Sequence, residues 1–133
     1  MIRYISALDD IGAGQLQGFF VGWPRPPAPE TFLRLLQGSY RVILAVDGKR
    51  VVGFIQAISD GVLSAYIPLL EVLPEYQGRG VGSELVRRML EELSDLYMVD
   101  VMCDPETQPF YARLGMQRAV GLIVRNYDRQ SGT

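Results

Sequence analysis

The chain has 133 residues, of which 48% are hydrophobic, and this length and composition fit one compact domain with its own core. Its 13 basic and 15 acidic residues give a formal charge of −2 without a block of like charges, which argues against nucleic acid or an anionic membrane as the main partner. There is no histidine, the commonest metal ligand and general base, and the single cysteine, Cys103, excludes an internal disulfide.

The N-terminal residues give no sign of targeting. The first ten, MIRYISALDD, lack the apolar run of a signal peptide, and no apolar span of about 18 residues occurs anywhere in the chain. We therefore expect a soluble, cytoplasmic protein with no membrane partner. Because histidine is absent, we also expect no metal site.

Residues 1–38 predict little regular structure. A short strand is expected over residues 2–6, and the apolar spacing over 8–20 gives a weak helix that its glycines disfavour. Four prolines in residues 21–29 exclude a regular element there, and residues 30–38 predict a compact helix that ends at Gly38. The proline stretch and this helix together are expected to form a hinged flap.

Residues 40–73 predict an antiparallel meander. Apolar runs over 40–46, 51–59 and 63–73 are separated by short turn signals, the second of which is Asp60 followed by Gly61. Asp60 is interpreted as a turn residue. Pro68 interrupts the third strand, so a bulge or a splay is expected at that point.

The C-terminal half predicts alternating helices and strands. Apolar residues recur at helical spacing between Val81 and Leu96, which makes residues 83–93 the best helix of the chain. A strand is expected over 96–102, a short helix over 107–115 with Thr107 as its N-cap, and a last strand over 119–127. Residues 128–133 are expected to form a frayed tail.

A glycine-rich loop, PEYQGRGVG at residues 74–82, lies between an apolar strand and the best helix. This order places backbone N–H groups and the positive end of a helix dipole at one point, which suits a phosphate group. The dinucleotide fingerprint would need glycine where Ser83 stands, and a Walker loop would need a Gly-Lys pair that is absent. The form present is Gln77-x-x-Gly80-x-Gly82.

With this loop the sequence resembles the GCN5-related N-acetyltransferase (GNAT) superfamily. Residues 69–90, LLEVLPEYQGRGVGSELVRRML, are similar to its central motif, and residues 110–116, FYARLGM, resemble its C-terminal element. The resemblance implies an α/β fold, with a mixed and mostly antiparallel sheet of six to seven strands, about four flanking helices, and strands splayed at the acetyl-CoA site. It also implies a single acetyltransferase domain over 1–133, with a variable substrate-side region (1–38), an acetyl-CoA-binding core (40–127) and the tail (128–133).

The family's activity implies the direct transfer of an acetyl group from acetyl-CoA to a primary amine of a small molecule or peptide. By position in the motif, pantetheine would add like a strand to the main chain of Leu70 and Val72. Asp104 has two readings, a hydrogen bond to pantetheine or a helix cap. The resemblance assigns the pyrophosphate to Gln77, Gly78, Arg79, Gly80, Val81, Gly82 and Ser83.

Proton transfer is the point where the sequence departs from the family pattern. The motif positions that carry a general base hold Tyr66 and Pro68 here, and a neutral phenol is a poor base near pH 7. A carboxylate acting through water, an amine of low pKa, or transfer without a base all remain open. Glu71 is interpreted as structural. Tyr111 matches the family's tyrosine near the leaving sulfur, and we expect it to donate a hydrogen bond to the departing thiolate.

Several side chains and two further functions stay open on the sequence. Trp23 and Phe19 or Phe20 fit either an acceptor pocket or the core, and Cys103 is interpreted as core. A catalytically silent acyl-CoA-binding or regulatory module is the alternative to an enzyme, and a mononucleotide-binding half-domain using Asp100 is a weaker one. A mean hydropathy of +0.10 and the apolar stretch VGLIV suggest a homodimer.

Overall fold

Apolar, β-branched runs between residues 41 and 73 form the centre of a six-stranded sheet, in a computed structural model that describes residues 1–133. The helices are Pro29–Gln37 (α1), Val81–Glu92 (α2) and Gln108–Arg113 (α3), and none of them is long and apolar enough to cross a membrane. The strands are Ile2–Ile5 (β1), Arg41–Asp47 (β2), Arg50–Ser59 (β3), Ser64–Ile67 (β4), Leu70–Val72 (β5) and Met98–Val101 (β6).

The strands follow the order β1-β2-β3-β4-β6, and β5 pairs with β3 beyond the end of β4. All pairs are antiparallel except β4 with β6. The meander predicted over residues 40–73 is therefore confirmed, with a tight turn at Gly48 (φ 63°) and a break at Pro68. The mixed, mostly antiparallel sheet also confirms the predicted fold class. Helix α2 packs across β2 and β3.

The proline stretch and α1 do not form a hinged flap. Phe32 and Leu36, which are four residues apart on one face of α1, are each 1% exposed. The ring of Phe32 meets that of Phe54, on β3, edge-on at 4.7 Å, and it packs against Phe19 and Phe20 as well. Burial of this aromatic cluster fixes α1 on the sheet.

The weak helix predicted over residues 8–20 is wrong. This stretch contains only a 3₁₀ turn at Ala13–Gln15. Gly18 (φ 90°) and Phe20 (φ 64°) lie in the left-handed region, which an α-helix cannot contain. The strained backbone at Phe20 is held by a tertiary contact, since the N–H groups of Phe20 and Val21 donate to the two carboxylate oxygens of Glu71 at 2.8 and 3.2 Å.

The last predicted strand, residues 119–127, is also wrong for the single chain. Residues 117–126 belong to no strand, and their side chains are exposed. The tail beyond them is not frayed: a 3₁₀ turn covers Tyr127–Arg129, and Gln130 Oε1 accepts the backbone N–H of Arg25 at 2.9 Å. The segment makes no strand pairing, although β6 has a neighbour, β4, on one side only.

Candidate functional site

The glycine loop exposes bare backbone at the start of α2. Gly80 is the N-cap of that helix with φ 81°, and Gly78 has φ 77°, so both occupy the left-handed region that disfavours other residues. No atom lies within 4 Å of the position that a Cβ would take at either glycine. The space above the loop is therefore open to a ligand that must approach the main chain closely.

Six consecutive amides of this loop, at residues 78–83, have no hydrogen-bond acceptor within the protein. The first N–H group of the helix to find one is that of Glu84, which donates to Gly80 O at 3.1 Å. Free amides at a helix start carry partial positive charge and lie at the favourable end of the helix dipole. This arrangement is suited to a diphosphate.

Side chains around the loop hold it in shape. Gln77 Nε2 donates one N–H to the carbonyl of Val72 at 2.9 Å, and the backbone N–H of Gln77 donates to Pro74 O at 3.3 Å, which ties the loop to the end of β5. The Tyr76 hydroxyl donates to Asp47 Oδ2 at 2.6 Å, which raises the pKa of the phenol. The guanidinium of Arg79 lies over the Tyr76 ring at 5.0 Å, where it adds positive charge beside the loop.

The sheet opens next to the loop because Pro68 has no N–H to give to a neighbouring strand. Strands β4 and β6 pair in parallel as far as Ile67 and Val101, after which β5 continues paired with β3 alone. The result is a gap between β5 and the residues that follow β6. The splay predicted at Pro68 has this geometry.

The free edge of β5 presents the main chain of Leu70 and Val72. Residues of an antiparallel strand alternate between bonding to the partner strand and pointing away from it. Leu73 N–H donates to Val52 O at 2.8 Å and Leu69 O accepts from Gln56 at 3.2 Å, so residues 69, 71 and 73 face β3. Leu70 and Val72 consequently direct their backbone groups toward the gap.

Tyr111, on α3, is buried beside β6 and the residues that follow it. Its side chain is 8% exposed, packs against the ring of Phe110 at 4.9 Å, and shares a cavity with Cys103. Burial, with a smaller contribution from Cys103, raises the pKa of Tyr111 to about 12. The phenol therefore keeps its proton at any physiological pH and acts as a hydrogen-bond donor.

Of the other acidic and phenolic candidates, some make structural hydrogen bonds and others have side chains without a hydrogen-bond partner. Tyr66 is half-buried on β4, in register with Asp100 of β6. Asp104 is exposed and occupies the N-cap position of the 3₁₀ turn Pro105–Thr107, where its carbonyl accepts the N–H of Thr107 at 2.9 Å and its side chain makes no cap hydrogen bond. Glu71 holds the backbone at residues 20 and 21, in agreement with its structural interpretation.

The structure also tests the interpretation of Asp60 as a turn residue and the two interpretations of the N-terminal aromatic residues. The carboxylate of Asp60 accepts the N–H groups of the turn at Val62 and Leu63, as expected of a turn residue. Phe19 and Phe20 belong to the core. Trp23 instead lines a surface cavity together with Leu69, which follows Pro68 in the chain. No group of three or more histidine, cysteine, aspartate or glutamate side chains is placed to hold a metal ion.

Sequence reasoning missed the part that Phe110 plays at the loop. Its ring lies 3.6 Å from where a Cβ at Gly82 would be, and Val72 lies 3.8 Å from the same point. Gly82 therefore lets the helix start approach both β5 and α3 closely. The adjacent Phe-Tyr pair on one short helix was the available signal, because successive helical residues point to different sides and one of the two must face the loop.

Comparison with known proteins agrees with this geometry. A crystal structure of a candidate acetyltransferase from Deinococcus radiodurans R1 is 49% identical, covering 99% of this chain and 93% of its own, with a TM-score of 0.97. A GNAT family protein from Streptococcus pneumoniae TIGR4 is 30% identical over 95% of this chain and 98% of its own, with a TM-score of 0.74.

A curated relative, GCN5-related N-acetyltransferase 2, chloroplastic, from Arabidopsis thaliana, is 30% identical over 84% of this chain, which spans about half (52%) of that protein's length. The model of the acetyltransferase (GNAT) family matches residues 8–116, which include β2 to β6, the glycine loop and Tyr111. The chain therefore belongs to the acetyltransferase (GNAT) family.

Proposed function

We propose that the protein is an N-acetyltransferase that moves an acetyl group from acetyl-CoA directly to a primary amine of a small molecule or peptide. The observation that carries this proposal is the row of six unpaired amides beside the open edge of β5. The unit proposed is one domain over residues 1–133, in which residues 1–38 shape the acceptor side and residues 40–127 bind acetyl-CoA. Trp23, which lines a surface cavity with Leu69, is our candidate for the acceptor side.

The residues present fit acetyl-CoA in two places. Amides 78–83 would hold the pyrophosphate, with the charge of Arg79 beside them. The main chain of Leu70 and Val72 would pair with the pantetheine amides in the gap, as an added strand does. One N–H of the Gln77 side-chain amide ties the loop to Val72, and the second N–H is available for the pyrophosphate. Asp104 is left as an exposed candidate for pantetheine.

Tyr111 would stabilise the leaving group. Acetyl-CoA supplies a thioester, whose cleavage leaves negative charge on sulfur. A phenol with a pKa of about 12 holds its proton too tightly to give it to a thiolate whose conjugate acid has a pKa of about 8.5. A hydrogen bond from the phenol to the sulfur requires no such transfer and strengthens as charge develops.

The amine must lose a proton, and we propose that no side chain of the enzyme acts as a strong base. An alkylamine has a pKa of about 10.4, so its neutral form costs about 4.6 kcal/mol at pH 7. The chain has no histidine, and both carboxylate oxygens of Glu71 accept backbone N–H groups. Tyr66 is half-buried on β4 and would orient the amine or a water molecule.

The test of cofactor binding is a thermal shift with acetyl-CoA. Saturation at a hundred times the dissociation constant stabilises the fold by about 2.7 kcal/mol, which is a shift in melting temperature of about 10 °C for a chain of this size. Gly80→Asp places a carboxylate where a diphosphate must meet backbone, and should abolish the shift. Gly48→Asp is the matched control, because Gly48 is also left-handed (φ 63°) with open space around it, in a turn outside the loop.

A thiol-release assay against a panel of amines, polyamines, amino acids and aminoglycosides then tests turnover. If acetyl-CoA binds and no amine is acetylated, the protein is the silent acyl-CoA-binding module, an alternative that the absence of histidine favours. If Gly80→Asp still binds acetyl-CoA like the Gly48 control, the loop does not hold the pyrophosphate.

A further inference from the structure

The surface cavity that contains Trp23 carries one positive charge and no negative one. It has a volume of about 350 Å³, and its apolar wall includes Phe20, Trp23, Leu35 and Leu69. Arg34, on α1, is the only charged residue that lines it. Sites for small molecules have this volume and this character, in which a few polar groups in an apolar wall fix the orientation of the ligand.

Arg34 has no acidic partner within the protein. Glu30 precedes it by four residues on α1, which is the spacing at which such pairs form on a helix, yet the two side chains make no salt bridge. A cation in the last turn of a helix interacts favourably with the helix dipole, but this interaction leaves the guanidinium free to bind a second group. The planar guanidinium matches a carboxylate through two parallel hydrogen bonds. Arg34 is therefore suited to the carboxylate of a ligand.

The C-terminal residues complete the wall of this cavity. Gln130 and Gly132 both line it. Gln130 Oε1 accepts the backbone N–H of Arg25 at 2.9 Å, which ties the tail to the proline stretch. A Cβ at Gly132 would lie 2.9 Å from Thr31 Cγ2, so the main chain of the tail packs directly against α1. The cavity is thus enclosed by residues that are distant in sequence and held together by specific contacts.

The same cavity is joined to the strand that would bind pantetheine. Its wall residue Phe20 has a left-handed backbone (φ 64°) and donates its N–H to Glu71, on β5, at 2.8 Å. A second wall residue, Leu69, directly precedes Leu70, whose main chain faces the gap of the sheet. Backbone strain of this kind is found preferentially where a ligand is held. A ligand in the cavity would consequently lie next to the gap.

We propose that Arg34 binds the carboxylate of the acceptor and that the acceptor is an apolar amino acid, an inference that rests on the proposed function. The apolar side chain would lie against Trp23 and Phe20. The amine would point toward the gap at Leu70, because the guanidinium repels an ammonium group. Its nitrogen would bond to the acetyl carbon as the carbon–sulfur bond breaks, with the electron pair left on sulfur and the amine proton passed to water. Polyamines and aminoglycosides would find no acidic side chain in this cavity.

Intrinsic fluorescence tests this binding without any turnover. Trp23 is the only tryptophan of the chain, so its emission reports on the cavity directly. The protein is titrated with L-leucine and with 3-methylbutylamine, which is leucine without its carboxylate. Each titration is done alone and with coenzyme A, which has no acetyl group to transfer. We expect leucine to bind about 10- to 100-fold more tightly than the amine, as hydrogen bonds to a charged group imply.

Variants of Arg34 test the role of the guanidinium. Arg34→Gln should weaken leucine to the affinity of 3-methylbutylamine and leave the affinity for that amine unchanged. Arg34→Lys should retain part of the preference, because it keeps the charge and loses the planar fork. Arg3→Gln, at an exposed arginine on β1 outside the cavity, is the matched control and should bind leucine like the wild type. In the acetylation of leucine, Arg34→Gln should raise KM by the same factor at unchanged kcat.

Equal affinity of the wild-type protein for leucine and 3-methylbutylamine would overturn the proposal, and so would an emission that neither compound changes. A preference for leucine that persists in Arg34→Gln would also overturn it. The wild-type comparison decides the matter even if the variant does not fold. Selective binding of leucine without acetyl transfer would keep the carboxylate site and refute the proposed function instead, whereas acetylation of amines without a preference for leucine would do the reverse.

Discussion

Replacing Tyr111 with phenylalanine separates catalysis from packing. The substitution keeps the ring that packs against Phe110 and removes only the hydroxyl, which has no hydrogen-bond partner in the protein. Stability should therefore change by less than about 1 kcal/mol. A fall in turnover would then report the loss of one donor from the reacting centre.

The size of that fall follows from the pKa of Tyr111. With a value of about 12, the phenol lies about 3.5 units above a thiol of about 8.5, so complete proton transfer would cost about 4.8 kcal/mol. Donation without transfer is the available role, and one preorganised donor is worth about 2–4 kcal/mol in the transition state. Turnover of Tyr111→Phe should fall about 30- to 1000-fold.

The assay compares turnover with acetyl-CoA affinity, on the amine that the screen identifies. Affinity should be nearly unchanged, because a thioester sulfur in the ground state is a poor acceptor of hydrogen bonds. Tyr97→Phe, at an 84% exposed phenol, is the matched control. Wild-type turnover in Tyr111→Phe would refute the reasoning, and water would then be the donor to sulfur.

Three further outcomes are expected. Without a strong base, kcat/KM should rise about tenfold per pH unit from about pH 6 to about pH 9, and a plateau near pH 7 in the pH profile would reveal a base that we have not identified. Glu71→Gln leaves one of the N–H groups of Phe20 and Val21 without a carboxylate oxygen, so urea unfolding should show a loss of about 1–3 kcal/mol at unchanged acetyl-CoA affinity. Two arginine partners lower the pKa of Glu84 from 4.5 to about 2; its ion pairs therefore stabilise the fold above about pH 4.5 and are lost as the pH falls toward 2. Glu84→Gln should accordingly cost about 0.5–1 kcal/mol at pH 7, and less in urea titrations as the pH is lowered.

The parts of the site that local chemistry dictates were predictable. Pro68 lacks an N–H wherever it stands, so a break in the strand and a gap beside it followed from one residue. Gly78 and Gly80 predicted where the main chain is accessible to a ligand, and both residues have positive φ in the structure. The helical spacing of the apolar residues in α2 likewise predicted which face of this helix is buried.

The parts that depend on contacts distant in sequence were not predictable. The left-handed backbone at Phe20 persists because Glu71, 51 residues later, accepts its N–H, and no local pattern contains that contact. Residues 119–127 have the composition of a strand, but composition does not say which edge a strand joins, or whether the edge belongs to the same molecule. The alternation of Val120, Leu122 and Val124 indicates that one face of this segment is apolar, but it does not indicate which strand the segment would pair with.

In the proposed site, main-chain groups bind the cofactor and one side chain stabilises the leaving group, which explains why the absence of histidine is compatible with acetyl transfer. Most of the proposed binding contacts use main-chain groups, at amides 78–83 and on β5, which any sequence with the right backbone can supply. In the proposed mechanism the chemistry would rest on Tyr111, which burial keeps protonated, and on an amine that arrives neutral. Such a site gains rate by holding two reactants in line and stabilising charge on sulfur, and it needs no group that titrates near pH 7. Its activity would therefore be sensitive to Gly80 and Tyr111, and tolerant of change at most other side chains around the cofactor.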